Sequence, residues 1–276
     1  MTRSSTVLIT GATDGLGLGL AEDLAADGVD LVLHGRSREK LDRIADRIGE
    51  GGAARPRTVV ADMADLGQVR GMAAEIRASE SRLDVLVSNA GIGSGEPDGR
   101  DRRTSADGHE LRFAVNYLSG FLLTLELLPL LRDSAPSRVV NVASLGQTPL
   151  DFDDLMLEQD YSGTRAYRQS KLAQIMSGFA LAARLPADEV TVNSLHPATF
   201  MPTKIVRDMT DRSVDTLEQG VAATRRLVTD PELSGTTGLF FNGTEEMRAN
   251  GQAYDEQAVQ DLWKASLELT GAENPF

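Results

Sequence analysis

Short apolar runs alternate along the chain with longer stretches whose apolar residues recur at helical spacing. Seven of the runs have the length and the β-branched composition of strands, and they cover residues 7–9, 31–33, 58–60, 85–87, 139–142, 190–192 and 239–241. Most are apolar throughout, as strands covered on both faces should be. The alternation therefore predicts an α/β fold with a doubly wound, seven-stranded parallel sheet and helices on both of its faces.

The stretches between the runs predict the helices. Leu41, Ile44 and Ile48 share one face of the second helix, and residues 111–131 and 162–185 form the two longest helical stretches. We find no internal repeat, low-complexity tract or interdomain linker. We therefore expect residues 1–276 to form one domain.

Composition and charge narrow the range of partners. The chain has 28 Lys and Arg residues against 41 Asp and Glu residues, and the net charge of -13 disfavours nucleic acid and anionic membranes. It has no cysteine, and its three histidines are not clustered, so we expect no metal site. The N-terminus lacks a signal-peptide pattern, and the apolar run from Phe121 to Leu131 is short and interrupted. We expect a cytoplasmic protein without a membrane span.

A glycine-rich turn connects the first strand to the first helix. Its residues are Thr10, Gly11, Ala12, Thr13, Asp14, Gly15, Leu16 and Gly17. Glycines at such a turn let the backbone approach a ligand, and the amides and dipole of the helix N-terminus attract a pyrophosphate. The turn predicts a dinucleotide site of the Rossmann type, although a plain structural turn would use the same residues.

The end of the second strand indicates which dinucleotide is bound. NAD enzymes of this fold carry an acidic residue there for the adenosine ribose, whereas this chain has Arg36 followed by Ser37. A guanidinium can hold the 2′-phosphate of NADP. We expect NADP(H), with Ser37 and Arg38 assisting, and NAD(H) as the alternative.

Tyr167 and Lys171 supply candidate acid-base chemistry. Four residues apart in a helix, they lie on one face, where an ammonium can lower the pKa of a phenol. Tyr161 is the weaker candidate acid, because Arg165 rather than a lysine follows it at the same spacing. The spacing alone also occurs by chance.

Several longer motifs resemble those of the short-chain dehydrogenase/reductase family. They are the glycine turn, the pair Asp62-Met63, the turn Asn89-Ala90-Gly91, Asn116 within the string 113–118, Ser144 after the fifth strand, the string 166–171 and His196-Pro197. The strings around Asn116 and Tyr167, with 262–266 near the C-terminus, are similar to the branch of retinol dehydrogenases, protochlorophyllide reductases and WW-domain oxidoreductases.

The resemblance implies a set of site residues. It assigns Asn116, Ser144, Tyr167 and Lys171 to catalysis, with Ser144 bonding the substrate oxygen, Tyr167 donating the proton and Lys171 also holding the nicotinamide ribose. It assigns the remaining contacts to the cofactor, namely Asp62, Met63, Asn89, Ala90, Gly91, Pro197, Ala198, Thr199 and Thr203. Asp14 departs from the pattern, because a carboxylate there opposes binding of a 2′-phosphate. Ala198 replaces the usual glycine.

We therefore expect an NADP(H)-dependent oxidoreductase that acts on a ketone, aldehyde or alcohol. The alternatives are a non-catalytic NADP-binding scaffold or redox sensor, and, less favoured, an epimerase or dehydratase. A loop at about 198–215 and an insertion at about 147–161 should wall the substrate pocket. Apolar residues in these segments favour an apolar small molecule, and they are Phe200, Met201, Ile205, Val206, Met209, Leu155 and Met156. The two long helices form the dimer contact in the family, which implies a homodimer or homotetramer.

Overall fold

The structure, a computed structural model, describes residues 5–95, 97–199, 201 and 214–276. The strands are β1 (Thr6–Ile9), β2 (Asp30–Gly35), β3 (Arg57–Val60), β4 (Val85–Ser88), β5 (Ser137–Val142), β6 (Val190–His196), β7 (Phe240–Asn242) and β8 (Glu245–Glu246). The helices described are α1 (Gly15–Ala26), α2 (Arg38–Glu50), α3 (Leu66–Ser79), α4 (Leu111–Asp133), α5 (Gly163–Ala182), α6 (Leu217–Thr229) and α7 (Glu256–Thr270).

All the strands described belong to one sheet, in the order β3-β2-β1-β4-β5-β6-β7-β8. The seven predicted strands are present, and they pair in parallel. The prediction missed β8, which pairs antiparallel with β7 after a turn at Gly243. Glu245 and Glu246 are exposed, so this short edge strand has no apolar run that could reveal it.

Two apolar cores lie on the two faces of the sheet. Within β1, Val7 and Ile9 belong to one core while Leu8 belongs to the other, because successive side chains of a strand point to opposite faces. Helices α1, α2 and α6 supply the first core, and α3, α4, α5 and α7 supply the second. The prediction of helices on both faces is confirmed.

The chain reverses direction across the sheet between β1 and β4. From β1 it proceeds to β2 and β3 on one side, whereas β4 pairs with the other side of β1. The carboxyl ends of β1 and β4 therefore meet at a switch point, where folds of this kind bind their ligands. A bond of 3.0 Å from the amide of Thr10 to the carbonyl of Val87 joins the two strand ends there.

Helix α4 is long and buried. It contains a π-helical segment, Ala114–Leu118, and it is the helix among the described residues that is long and apolar enough to cross a membrane. However, 72% of its apolar window is buried inside the protein, as in the core helix of a globular fold. The sequence alone predicts that the run from Phe121 to Leu131 is too short to span a bilayer, but the helix that contains it has 23 residues. Its burial, and not its length, is what resembles a core helix.

Helix α7 covers both of the long helices. Tyr117 of α4 is hydrogen-bonded to Ser266 of α7 at 2.5 Å, and the rings of Phe121 and Trp263 meet edge to face at 5.2 Å. The guanidinium of Arg184, just after α5, lies 4.6 Å from the Trp263 ring centroid. The faces of α4 and α5 under α7 are thus already packed within the chain, and the expected homo-oligomer stays a prediction.

Candidate active site

The four residues assigned to catalysis come from three segments that meet beside the switch point. Ser144 follows β5, Tyr167 and Lys171 lie one turn apart in α5, and Asn116 lies in the π-helical segment of α4. Helix α5 begins after Ser162, whose hydroxyl accepts a hydrogen bond from the amide of Arg165. The predicted juxtaposition follows from the topology, because parallel strands end at a common edge.

Tyr167 and Ser144 are hydrogen-bonded through their side chains. Burial raises the pKa of Tyr167 above its ordinary value, and the bond to Ser144 acts in the opposite direction. The Ser144 hydroxyl also accepts a bond of 3.0 Å from the amide of Gly146. The phenol is therefore neutral at physiological pH and able to act as a proton donor.

Lys171 is buried one helical turn after Tyr167. Its ammonium donates to the carbonyl of Val142 at 2.8 Å and to the Gln174 side chain at 3.3 Å. Burial lowers the pKa of Lys171 to about 8. We expected this lysine to lower the pKa of Tyr167. The pKa of Tyr167 is instead shifted by burial and by the hydrogen bond to Ser144. In this geometry the ammonium is occupied by the strand end, so that expectation is not met.

Asn116 fastens the turn that follows β4 to helix α4. Its carbonyl oxygen accepts from the amide of Ile92 at 2.7 Å, while its amide donates to the carbonyl of Ile92 at 3.1 Å and to Ser170 at 3.0 Å. A Cβ added at Gly91 would lie 3.1 Å from the Asn116 oxygen and 3.7 Å from the Lys171 nitrogen. Asn116 thus positions the backbone against which Lys171 lies.

The glycine turn has the close packing that a dinucleotide site requires. Gly11 has a φ of +68°, and a Cβ added at Gly17 would lie 2.3 Å from the Gly11 carbonyl oxygen. The Thr10 hydroxyl accepts from the amides of Asn89 and Ala90 at 2.9 and 3.0 Å. The Asn89 side chain in turn donates to the Thr10 carbonyl at 2.8 Å. These contacts hold the N-terminus of α1 at the switch point, and the cradle fits a pyrophosphate.

The residues expected around the adenosine lie at the ends of β2 and β3. Arg36 is exposed, and the part of the chain that the structure describes offers it no ion pair or hydrogen bond. By contrast, Arg38 donates to the Thr58 hydroxyl at 3.0 Å, and the Ser37 hydroxyl caps α2 by accepting from the amide of Lys40 at 3.3 Å. Arg36 is thus the cation that is free to meet a phosphate.

Other members of this set have structural partners. Asp14 caps α1 by accepting from the amide of Gly15 at 2.7 Å. Asp62 accepts from the amide of Ala64 at 2.9 Å, and the neighbouring Met63 is buried. Thr13 packs over Gly35, where an added Cβ would lie 2.5 Å from its methyl group. The carboxylate of Asp14 therefore shares the helix N-terminus with any bound phosphate.

The loop after β6 is held by polar contacts. His196 is hydrogen-bonded to the Thr199 hydroxyl at 3.2 Å, and the amide of Thr199 donates to the Asp215 carboxylate at 2.6 Å. Pro197 and Ala198 lie within the same segment. Several predicted residues lie outside the described residues, and they are Phe200, Thr203, Ile205, Val206 and Met209.

A buried polar cluster beside the site escaped the sequence analysis. The guanidinium of Arg112 donates to the Tyr161 hydroxyl at 2.5 Å and to the carbonyls of Gly93 and Ser94 at 2.9 and 2.8 Å. The Tyr161 hydroxyl donates to Glu110 at 3.1 Å. Burial, followed by the charge of Glu110, raises the pKa of Tyr161 to about 12. The signal was the Glu-Leu-Arg sequence 110–112 at the start of an apolar helix, which can place both charges in the interior.

Comparison with known proteins identifies the family. The sequence model of the family described as short chain dehydrogenase matches residues 5–213. Retinol dehydrogenase 13 from Homo sapiens is 35% identical, over 98% of this chain and 86% of its own length. The WW domain-containing oxidoreductase of Danio rerio is 31% identical, over 95% of this chain and 68% of its own length.

Solved structures share the whole architecture. A crystal structure of a protein from Mycobacterium paratuberculosis is 27% identical and covers 100% of this chain and 98% of that chain, with a TM-score of 0.76. An active-site complex of Pseudomonas aeruginosa RhlG with NADP is 26% identical and covers 87% of this chain and 95% of that chain, with a TM-score of 0.69. The resemblance noted in the motifs is thereby confirmed, and the chain belongs to the short-chain dehydrogenase family of oxidoreductases.

Proposed function

We propose that this protein is an NADP(H)-dependent oxidoreductase that interconverts an alcohol and a ketone or aldehyde. The observation that carries the proposal is the hydrogen-bonded pair of Tyr167 and Ser144, which lies beside the switch point of the sheet and one helical turn from the buried Lys171. A neutral phenol there can protonate a carbonyl oxygen on which negative charge develops. When bound, the nicotinamide supplies or accepts the hydride.

Each of the four residues has a distinct role in this proposal. Ser144 donates its hydroxyl hydrogen to the substrate oxygen, and Tyr167 transfers the proton to it. Lys171 has an ammonium that the strand end already orients, so it can hold a ribose hydroxyl. Asn116 keeps the turn at Gly91 against Lys171 and is a positioning residue.

Arg36 supports NADP(H) over NAD(H). It is exposed after β2, while the adjacent Arg38 is tied to Thr58. The family member from Pseudomonas aeruginosa was solved with NADP. Asp14 at the helix N-terminus opposes a further negative charge, so Arg36 must outweigh a local repulsion.

We expect Arg36→Ala to raise the KM for NADPH by about 10- to 100-fold while leaving that for NADH unchanged, and Arg38→Ala is the matched control.

The substrate is proposed to be a small apolar molecule. The support comes from the relatives named as retinol dehydrogenases, since retinol is an apolar alcohol. Leu155 and Met156, which we expected in the pocket wall, are partly buried and pack against the core, and they stay part of the proposed wall. The wall is completed by the C-terminal segment, because Gln147 and Gln252 bond it to the loop after Ser144. A single domain, a homodimer or homotetramer and a cytoplasmic location remain part of the proposal.

The test is a panel of apolar and polar ketones, aldehydes and alcohols assayed by the change in nicotinamide absorbance. We expect turnover with NADPH to exceed that with NADH, and Tyr167→Phe to bind NADPH with a strongly reduced kcat. Equal kcat/KM values for the two cofactors would overturn the preference for NADP(H). Binding of NADPH without turnover of any panel member would favour the scaffold or sensor instead.

A further inference from the structure

His34 is a buried histidine that the catalytic chemistry does not use. It lies next to the last residue of β2 and is 1% exposed. A neutral imidazole at such a position must have both ring nitrogens satisfied, since unpaired polar atoms are costly in the interior. Its two partners are therefore informative about what the side chain does.

The partners fix the protonation state of the ring. Nδ1 lies 3.2 Å from the backbone amide of Gly11, which can only donate, so this nitrogen accepts. Nε2 lies 3.1 Å from the carbonyl oxygen of Ala61, which can only accept, so this nitrogen carries the hydrogen. His34 is thus neutral and in a single tautomer.

The two partners belong to opposite walls of the cofactor site. Gly11 is the first glycine of the turn that fits the pyrophosphate, and Ala61 directly precedes the Asp62-Met63 pair expected at the adenine. The main chain repeats the connection, because the amide of Ala12 donates to the His34 carbonyl at 2.9 Å. The ring therefore spans β2 from the end of β1 to the end of β3.

We propose that His34 is a positioning residue for the dinucleotide, which holds the glycine turn and the adenine-side strand end at a fixed separation. The inference rests on the proposed cofactor site. Gly11 has a positive φ and a tightly packed surround, so the direction of its amide depends on what accepts its hydrogen. Without an acceptor at Nδ1 the amide is buried and unpaired, and the turn must shift to satisfy it.

Protonation has the same consequence as removal of the ring. A hydrogen on Nδ1 would face the hydrogen of the Gly11 amide, so two donors would oppose each other. The charged groups that act on the ring are Asp62 at the end of β3 and Arg36 at the end of β2, and they oppose one another. Burial is the larger influence, and it lowers the pKa of His34. The affinity for the dinucleotide should therefore fall as the pH falls below neutral.

Three substitutions separate the two bonds. His34→Leu removes both, His34→Asn places an acceptor near the position of Nδ1, and His34→Gln places a donor near the position of Nε2. His109→Gln is the matched control, because His109 also bonds a backbone carbonyl, that of Leu269 at 3.0 Å, but neither Gly11 nor Ala61. The readouts are the Kd for NADPH without substrate, the kcat at saturating cofactor and the free energy of unfolding.

We expect His34→Leu to raise the Kd for NADPH by about 10-fold or more, as the loss of a buried hydrogen bond implies. The kcat at saturation should change little, His34→Asn should recover most of the affinity, and His109→Gln should bind like the wild type. A folded His34→Leu variant with wild-type Kd overturns the inference. So does equal affinity of the Asn and Gln variants, a comparison that remains decisive if the Leu variant does not fold.

The pH dependence provides the second arm. Because burial lowers the pKa of His34, the wild-type Kd should rise more than that of His34→Asn, which has no ring to protonate, as the pH is lowered from about 6.5 to the lowest value at which both proteins stay folded. The 2′-phosphate of the cofactor titrates near pH 6 in both proteins, so the difference between them isolates His34. Identical pH profiles would contradict the inference. If the wild type fails to bind NADPH at all, the proposed function fails instead.

Discussion

Tyr167 and Tyr161 are two phenols six positions apart in the chain, and their hydroxyls have different kinds of partner. Burial raises the pKa of both. The Tyr161 hydroxyl donates to Glu110 and accepts from Arg112, so its hydrogen and an acceptor lone pair are both used within the protein. Tyr167 bonds to Ser144, a side chain that can itself turn to a substrate. The pKa therefore does not distinguish the two phenols, whereas their partners do.

The largest expected difference is in turnover. Tyr167→Phe should lower kcat by about 10²- to 10⁴-fold, the usual contribution of a positioned acid, and should leave the fold intact. Tyr161→Phe should retain turnover and lose stability, because Glu110 and Arg112 each lose a partner. The measurements are kcat and urea unfolding on both variants. A comparable loss of kcat in the two would end the distinction.

The cluster around Tyr161 should dominate stability. Arg112→Met leaves Glu110 buried without a counter-charge, and we expect a loss of about 3–5 kcal/mol in the free energy of unfolding. The control is Arg43→Met, which breaks the exposed pair of Arg43 with Glu39 at 3.8 Å and should cost at most about 1 kcal/mol. Urea unfolding monitored by circular dichroism measures both. Equal losses in the free energy of unfolding would show that the buried cluster contributes no more to stability than a surface ion pair.

Lys171 gives the catalytic side a pH-dependent stability. Its pKa is lowered from 10.5 to about 8, so between these values the unfolded chain binds a proton that the folded protein does not. Stability should therefore rise with pH across this window, by up to about 3 kcal/mol relative to Lys171→Met. Unfolding by urea at a series of pH values gives the comparison, with Lys264→Met, an exposed lysine, as the control. Parallel curves for wild type and Lys171→Met would contradict the prediction.

The smallest effect concerns Ser162, one of the five residues between the two phenols in the chain. Ser162 caps α5, so Ser162→Ala should lower the free energy of unfolding by about 1 kcal/mol. Ser162→Asn keeps an acceptor at the cap and should restore the loss. Turnover should change little, since the helix is also held by its buried face. A large fall in kcat with unchanged stability would show that the cap instead sets the position of Tyr167.

The elements of the fold that are marked by a local pattern of apolar residues could be predicted from the sequence. Most of the seven parallel strands could be predicted because they are apolar on both faces. The site residues were assigned from the resemblance of their motifs to the family, and the common edge of the parallel strands explains why those motifs lie near one another. Strand β8 and the π-helical segment around Asn116 leave no such pattern. The pKa relation between Lys171 and Tyr167 was wrong because Val142 and Gln174, rather than the phenol, face the ammonium.

Buried polar side chains were the main gap. His34, Glu110 and Arg112 look like ordinary surface residues in the sequence, and the partners in these bonds lie 18 to 51 positions away. Only the packed structure brings those partners within reach. The cofactor turn, by contrast, is encoded in eight consecutive residues. The cofactor turn could therefore be predicted from the sequence, while the buried polar side chains that hold it in place could not.

The packing of α7 gives the protein an intrinsic optical probe. Trp263 is the sole tryptophan of the chain, and it lies in α7 against Phe121 and under Arg184. Its fluorescence will therefore report whether α7 is docked on the two long helices, and not the state of the cofactor turn on the other side of the sheet. Detachment of α7 should appear as a change in emission that can occur while NADPH remains bound.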